Sequence, residues 1–138
     1  MTNQQLFEFI RSHDLAVLAT ISPAGTPQAA LVGIAVTPEL ELIFDTVKSS
    51  RKYDNLVRNS AIAFVIGCTT EITVQYEGEA GEPTGAELQR YKDVYFSKRP
   101  DCREHEKWPG IVYFKVRPRW IRYSDFNPNS QAIIERTF

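Results

Sequence analysis

Apolar residues recur at helical spacing in three stretches of the chain. The first stretch follows a Thr2-x-x-Gln5 capping pattern, in which the two side chains satisfy each other's backbone N–H groups. The last stretch follows Thr84 and is expected to stop near Ser97, because Pro100 cannot continue a helix. The spacing predicts helices over about residues 3–12, 51–59 and 84–97.

Short apolar runs bounded by proline, glycine and other turn residues predict the strands. The first three runs are joined by short turns and therefore predict an antiparallel meander. Their few polar positions indicate that both faces are covered, either by closure into a barrel or by a partner. The fifth run alternates polar and apolar residues, so one of its faces is polar. The predicted strands are Leu15–Ile21, Gln28–Val36, Glu41–Phe44, Ala61–Ile66, Glu71–Ala80, Gly110–Val116 and Arg119–Tyr123.

Two segments have no regular pattern. Lys98–Pro109 is polar and contains prolines, which predicts an irregular loop that is long enough to be functional. The tail, residues 127–138, has no strong period before Ala132 and is expected to be partly ordered against a partner. Residues 1–138 are therefore predicted to form a single, mainly β domain with peripheral helices.

Composition and charge narrow the classes of function. The chain has 138 residues, of which 43% are hydrophobic and 24% charged, and its net charge is −1. A nearly neutral chain gives no sign of nucleic acid as a general partner. No apolar run approaches the roughly 20 residues of a membrane span, and the N-terminus lacks a signal-peptide pattern. We expect a cytoplasmic protein with no nucleic-acid or membrane partner.

Cysteine and histidine are scarce in this sequence. Cys68 and Cys102 are expected to be free thiols in a cytoplasmic chain. Cys102-x-x-His105 has the spacing of half a zinc site, but the remaining candidates, His13 and Cys68, do not have ligand spacing. The sequence therefore predicts no metal site.

The stretch FDTVKSSRKYDNLVRN carries the clearest candidate chemistry. Its apolar strand end leads to Ser50, which is suited to cap the helix that follows. The first N–H groups of that helix have no internal partner and lie at the positive end of the helix dipole. Arg51 and Lys52 add two cations in the same turn. Together these groups suit a phosphate dianion.

A helix cap without a ligand is the simpler interpretation of the same residues. Arg51 and Lys52 would then be solvated side chains at the unfavourable end of the dipole, which costs roughly 0.3–1 kcal/mol each. That small cost favours a nearby anion only slightly. On the evidence of this stretch alone, a cap without a ligand is favoured over a phosphate-binding site.

The order of the elements resembles the pyridoxamine 5′-phosphate oxidase-like family, whose fold is the FMN-binding split β-barrel. The resemblance extends from about Leu6 to Phe126 and rests on four motifs in order, LATISPAGTPQAALVG, FDTVKSSRKYDNLVRN, VQYEGEA and FKVRPRWIRY. It implies a six- to seven-stranded antiparallel barrel of Greek-key type with three helices. It also implies a homodimer with two equivalent FMN sites at its interface.

The resemblance further implies which residues hold the cofactor. The backbone of the second strand would contact the isoalloxazine ring at Gln28, Ala29, Ala30 and Leu31. The third strand's end and the following helix would hold the phosphate with Asp45, Thr46, Ser50, Arg51 and Lys52. A polar residue of the fifth strand, Thr73 when aligned on Gly78, would reach the flavin from across the dimer. The loop with Trp108 would close over the ring.

Two departures from the family pattern restrict what the resemblance implies. The true oxidase has an Arg-x-His motif and a long basic C-terminal extension, whereas Arg119 is followed here by Trp-Ile and the chain soon stops. Oxidation of vitamin B6 is therefore not expected. In addition, Asp45 precedes the phosphate-binding threonine, where its carboxylate would repel a phosphate unless it turned away or paired with Arg51 or Lys52.

Three hypotheses about function follow. The first is a flavin-dependent oxidoreductase that acts on a small-molecule substrate or electron donor, with the flavin supplying the redox chemistry and no residue acting as general acid or base. Within this fold a deazaflavin is the alternative cofactor, and its longer acidic tail would need Arg117, Arg119 and Arg122. The second hypothesis is a non-catalytic flavin carrier or sensor. The third is a barrel that has lost its ligand.

Overall fold

The computed structural model describes all 138 residues, most of which lie in one antiparallel sheet with helices at its periphery. The helices are α1 Asn3–Arg11, α2 Arg51–Arg58 and α3 Gly85–Lys98, followed by a 3-10 helix at Pro100–Lys107. The strands are β1 Leu15–Ile21, β2 Pro27–Gly33, β3 Ala35–Val36, β4 Leu42–Val47, β5 Ala61–Ile66, β6 Ile72–Gly81, β7 Ile111–Asp125 and β8 Ala132–Thr137.

The sheet follows the order β2-β1-β5-β6-β7-β4-β3 and curls into a half-barrel. Every neighbouring pair is antiparallel. The long strand β7 has room for two neighbours on one side, since its first half pairs with β4 and its second half with β8. The prediction of a mainly antiparallel β fold with peripheral helices is thus confirmed.

The boundary predicted at Pro118 is a bulge inside β7 rather than a break between two strands. The register with β6 shifts beside Gly78 and leaves Arg119 as an extra residue, which a bulge accommodates. Proline has no N–H to donate, and a bulge is one of the few places in a sheet where that is tolerated. A Cβ on Gly78 would lie 2.4 Å from the carbonyl oxygen of Arg117, so only glycine fits this close approach.

Two segments without a sequence pattern are regular in the structure. The predicted loop Lys98–Pro109 contains the 3-10 helix, so the chain has four helices rather than three. The tail, expected to be ordered against a partner, instead forms β8 against β7 of the same chain. Local periodicity could not show this, because the order of β8 comes from the free hydrogen-bonding groups along the far half of β7.

Strand β4 separates two apolar clusters. Leu42 and Phe44 face the barrel interior, where they belong to the larger buried cluster. Ile43 faces the opposite side and packs under α3 and the 3-10 helix with Ala35, Tyr91, Tyr95, Phe96, Cys102 and Tyr113. Side chains alternate along a strand, so the next two residues of β4 also go to opposite faces. Thr46 therefore lies on the barrel side of β4, and Asp45 lies on its outer side.

Candidate functional site

The N-terminus of α2 is joined to the end of β4 by two hydroxyl groups. Ser50 Oγ accepts a hydrogen bond from the backbone N–H of Tyr53 at 3.3 Å, so Ser50 is the N-cap. The same oxygen lies 2.9 Å from Thr46 Oγ1. Two of the predicted phosphate-binding residues are therefore adjacent, at the positive end of the helix.

The two cations of this helix turn have no acidic partner. The ion pairs of the structure involve other residues, and none contains Arg51 or Lys52. Arg51 is exposed and Lys52 is half-buried. Both side chains are thus free to contact an anion at the helix N-terminus.

Strand β2 has a free edge, because β1 is its only hydrogen-bonded neighbour. At one end of this pair the N–H of Ile34 donates to the carbonyl of Asp14. Bonded residues recur at every second position of an antiparallel pair, so the even-numbered residues of β2 bond to β1. Ala29 and Leu31 therefore direct their backbone N–H and C=O groups to the free edge. Of the four residues predicted to contact the ring, these two offer unpaired backbone groups.

Asn55 holds α2 beside the first two strands. Its side-chain Nδ2 donates to Thr20 Oγ1 of β1 and to Gln28 Oε1 of β2, both at 2.9 Å. Asn55 and Thr20 are buried, with 2% and 1% of their surface exposed. This amide ties the helix that begins at Ser50 to the strand with the free edge. Sequence reasoning missed it, because its two partners lie 35 and 27 positions away in the chain.

Replacing Asn55 with alanine is expected to lower the free energy of unfolding by about 1–3 kcal/mol, because the hydroxyl of Thr20 and the amide of Gln28 lose their partner. Urea denaturation at one fixed protein concentration would measure the change. Asn59→Ala is the matched control, since the Asn59 side chain makes a single exposed bond, to the N–H of Ala61. Equal losses in the two variants would contradict the role given to Asn55.

The outer face of strands β2, β1 and β5 is apolar and open. Leu31, Leu15 and Val65 are 65%, 49% and 39% exposed. Rows of this face run across the three strands, as in Leu31–Val17–Val65. Exposed contiguous apolar surface of this kind marks an interaction site. The residues of this apolar face are Leu15, Val17, Ala19, Ile21, Ala29, Leu31, Ala63 and Val65.

Thr73 lies far from the free edge of β2 within one subunit. It belongs to β6, and strands β1 and β5 intervene in the sheet order. At about 4.8 Å between neighbouring strands, the separation across the sheet is roughly 14 Å. A contact of Thr73 with a ring at the β2 edge would have to come from a second subunit, and it stays a prediction.

Asp45 is directed away from the Thr46–Ser50 pair. Its Oδ2 lies 2.7 Å from His105 Nδ1, and its Oδ1 accepts a hydrogen bond from the Tyr95 hydroxyl at 3.2 Å. The alternation of side chains along β4 explains the difference, because Thr46 follows the barrel side. The carboxylate pairs with neither Arg51 nor Lys52, the two partners considered from the sequence, but turns away, so the predicted conflict with a phosphate does not arise.

The basic residues near the end of β7 are already paired. Arg117 Nη2 lies 3.2 Å from Glu79 Oε2, and Arg119 contacts the other oxygen of the same carboxylate. The two guanidinium groups hold the pKa of Glu79 below its usual value through hydrogen bonds. Arg122 pairs with Glu135 of β8. Each of the three guanidinium groups thus already has a carboxylate partner, which argues against their recognising a separate anion.

Trp108 stacks on His105, with ring centroids 3.9 Å apart. Its indole is half-exposed, and the loop that follows is attached to β4 by a hydrogen bond from Lys48 N to Gly110 O at 2.9 Å. The tryptophan is therefore near the strand end that leads to α2. Closure over a flavin ring stays a prediction.

Comparison with known proteins identifies the family. The model of the family described as pyridoxamine 5′-phosphate oxidase matches residues 2–125. The chain belongs to the pyridoxamine 5′-phosphate oxidase family. No curated protein sequence matches it. None of its helices has the length and apolar character needed to cross a membrane.

Solved structures with the same fold include proteins of different description. A heme binding protein from Mycobacterium smegmatis aligns with a TM-score of 0.84 at 14% identity, covering 99% of this chain. The chain spans only 58% of that protein's length. A conserved hypothetical protein from Mycobacterium tuberculosis has a TM-score of 0.74 at 25% identity and covers 91% of this chain and 85% of its own. General Stress Protein 26 from Bacillus anthracis has a TM-score of 0.70 at 18% identity, with coverage of 96% and 99%.

The structure adds a third candidate metal-binding residue to the cysteine–histidine pair of the sequence. The sequence left Cys102-x-x-His105 without further ligands, since Cys68 and His13 lack the spacing. In the structure the third residue at this pair is Asp45, 57 positions before Cys102 in the chain. A carboxylate on a distant strand leaves no spacing signal, so sequence reasoning assigned Asp45 only to the phosphate.

Proposed function

We propose that this protein binds FMN at the interface of a homodimer and acts as a flavin-dependent oxidoreductase on a small-molecule substrate. One observation carries the proposal, namely the free edge of β2 beside a helix N-terminus with two unpaired cations. The Asn55–Gln28 bond links the two features. Asn55 lies five positions after Ser50, which is about 8 Å along the helix axis. An extended ribityl chain can bridge such a distance.

The donors and acceptors of this region suit the parts of FMN. Backbone N–H and C=O groups of Ala29 and Leu31 would bond to the polar edge of the isoalloxazine ring. Thr46, Ser50, the first N–H groups of α2 and the cations Arg51 and Lys52 would hold the phosphate. When bound, the flavin supplies the hydride chemistry. The residues of this chain anchor the phosphate, orient the ring and shape the substrate pocket.

The apolar face supports a homodimer. Eight apolar side chains of β1, β2 and β5 are open on one subunit, and no charged residue interrupts them. A second copy that packs on this face by two-fold symmetry would bury both faces at once. The free edge of β2 borders the same face, so a cofactor bound there would be enclosed by the partner. Thr73 of the partner subunit would then approach the ring.

The structure supports FMN over the alternative deazaflavin. The longer acidic tail of a deazaflavin needs additional cations, and the sequence offered only Arg117, Arg119 and Arg122. The first two pair with Glu79 and the third with Glu135. Binding the tail would therefore require these pairs to break.

Heme is a second candidate for the same interface, because the aligned Mycobacterium smegmatis protein is described as heme binding. Histidine is a common axial ligand of heme iron. The two histidines of this chain are elsewhere. His13 Nδ1 bonds to the carbonyl of Phe9 at the end of α1, and His105 bonds to Asp45 under the 3-10 helix. The apolar face thus has no histidine to offer, which favours a flavin.

The visible absorption spectrum tests the cofactor. The freshly purified protein, and the protein after addition of FMN and desalting, are expected to show two flavin bands. A Soret band would instead indicate heme. A colourless protein that retains neither FMN nor heme would contradict the cofactor assignment and leave the fold unaffected.

Reduction of the bound flavin separates an enzyme from a carrier. An oxidoreductase is expected to lose its flavin absorbance when NADPH or NADH is added without oxygen and to regain it with an electron acceptor. A bound flavin that neither donor reduces would favour the non-catalytic carrier or sensor.

A further inference from the structure

Three different metal-binding side chains meet under the 3-10 helix, on the side of the sheet away from the barrel interior. Cys102 and His105 come from the 3-10 helix and Asp45 from β4. Their candidate ligand atoms all lie within 4.8 Å of one another. The closest two are His105 Nδ1 and Asp45 Oδ2, at 2.7 Å. No residue of this cluster belongs to the proposed flavin site, because the cluster lies on the opposite face of β4.

We propose that Asp45, Cys102 and His105 form a Zn²⁺ site. Thiolate sulfur, imidazole nitrogen and carboxylate oxygen are the three donor types that Zn²⁺ takes in proteins. A thiolate and a carboxylate also balance the two positive charges of the ion, so the occupied site would be neutral. Three protein ligands leave a fourth position for water.

The neighbouring groups would support the ligands of such an ion. Arg99 Nε donates to Cys102 Sγ at 3.3 Å, and the Tyr95 hydroxyl donates to Asp45 Oδ1 at 3.2 Å. Hydrogen bonds of this kind orient metal ligands and tune their affinity.

A buried hydroxyl in the same cluster lacks a partner. Tyr113 is paired with Asp45 across β4 and β7, and it packs on the rings of Tyr95 and Phe96. Only 6% of Tyr113 is exposed to solvent, yet its hydroxyl makes no hydrogen bond. A buried hydroxyl without a partner is unfavourable unless a bound group satisfies it. A water on the fourth position of the metal is a suitable partner.

The site needs a small adjustment and has a route of entry. Zinc–ligand distances of about 2.0–2.3 Å place ligand atoms roughly 3.5 Å apart. The 2.7 Å contact between His105 and Asp45 would therefore lengthen. Cys102 is buried, but the side chain of His105 is 27% exposed, so an ion can enter from the His105 side. Binding would release the thiol proton of Cys102.

Cobalt titration of metal-free protein, prepared without an affinity tag, tests the site. Co²⁺ is expected to produce a sulfur-to-metal charge-transfer band and intense visible bands of a tetrahedral site, and one equivalent of Zn²⁺ is expected to remove both. His105→Gln and Asp45→Asn are each expected to weaken binding by well over ~100-fold, beyond the roughly 10- to 100-fold cost of losing an outer hydrogen bond. Cys102→Ser is expected to abolish the charge-transfer band.

The chain provides matched controls for both donor types. Cys68→Ser and His13→Gln remove the other cysteine and the other histidine, and both are expected to leave the spectra unchanged. Circular dichroism would show whether each variant is folded. If Cys102→Ser does not fold, His105→Gln still tests the site, because His105 is more exposed and its substitution disturbs the core less. The proposal is overturned if folded wild-type protein gives no charge-transfer band, or if Cys68→Ser removes it. Failure here would not affect the flavin proposal, which is read from different spectra and residues.

Discussion

Replacing Arg51 and Lys52 together with alanine is expected to weaken FMN binding by on the order of 100-fold or more. A charge-assisted hydrogen bond contributes roughly 1.5–3 kcal/mol, and each 1.4 kcal/mol is about a factor of ten in affinity. The two side chains have no acidic partner in the structure, so removing them breaks no internal ion pair. Fluorescence titration of FMN into cofactor-free protein would measure the change.

Riboflavin makes this test specific for the phosphate, because it has the same ring without the phosphate group. The double variant is expected to bind riboflavin as the wild type does, so that its preference for FMN disappears. Arg58→Ala with Arg90→Ala is the matched control, since it also removes two exposed cations, one of them at the far end of α2.

Unchanged FMN affinity in the Arg51/Lys52 double variant would assign these residues to a helix cap without a ligand. A parallel loss of riboflavin affinity would show that the substitutions disturb the ring site or the fold rather than a phosphate contact. Either result would leave the Zn²⁺ proposal untouched.

Replacing Val65 with lysine is expected to convert the proposed dimer to a monomer at micromolar concentration. Val65 lies on the open apolar face, between Val17 of β1 and Gln75 of β6. In a two-fold interface the substitution appears on both subunits, so two charges would lose their water. An uncompensated buried charge costs roughly 3–5 kcal/mol, so even one of the two weakens association by on the order of 100- to 1,000-fold or more. Analytical ultracentrifugation would measure this.

The Val65 variant should also lose bound flavin, because the proposed site is enclosed by the partner and completed by its Thr73. Val57→Lys is the control, since Val57 is an exposed valine, at 63%, on α2 and off the apolar face. It is expected to remain dimeric and to keep its flavin. If the Val65→Lys variant is still a dimer, the interface must lie on another surface. If the wild-type protein is a monomer, the proposed interface does not exist.

The candidate phosphate site contains one feature that the local sequence predicted and one that it could not predict. Ser50 caps α2, as the sequence predicted, because N-cap preference depends on the residue and its immediate neighbours. The unpaired state of Arg51 and Lys52 was not predictable in this way. It depends on which carboxylates of other elements come near, and the structure brings none within ion-pair distance.

Contacts between residues that are far apart in the chain could not be predicted from the sequence. Asn55 bonds to Thr20 and Gln28, which are 35 and 27 positions away. Asp45 was assigned to the phosphate from its position in the chain. Its side chain instead meets His105, 60 positions away, because it faces the outer side of β4. Neither contact has a periodic or spacing signal.

The sequence by itself determined the elements with local causes, namely the helices, two of them with a side-chain cap, the apolar strands and the family to which their order belongs. Hydrophobic periodicity, capping groups and turn residues act over a few neighbouring positions, so they can be recognised in the sequence alone. The tertiary structure decided which edge is free, which face of β4 each side chain takes, and where β8 pairs. Those outcomes depend on the pairing of distant strands and on packing between layers, which no short segment of the chain encodes.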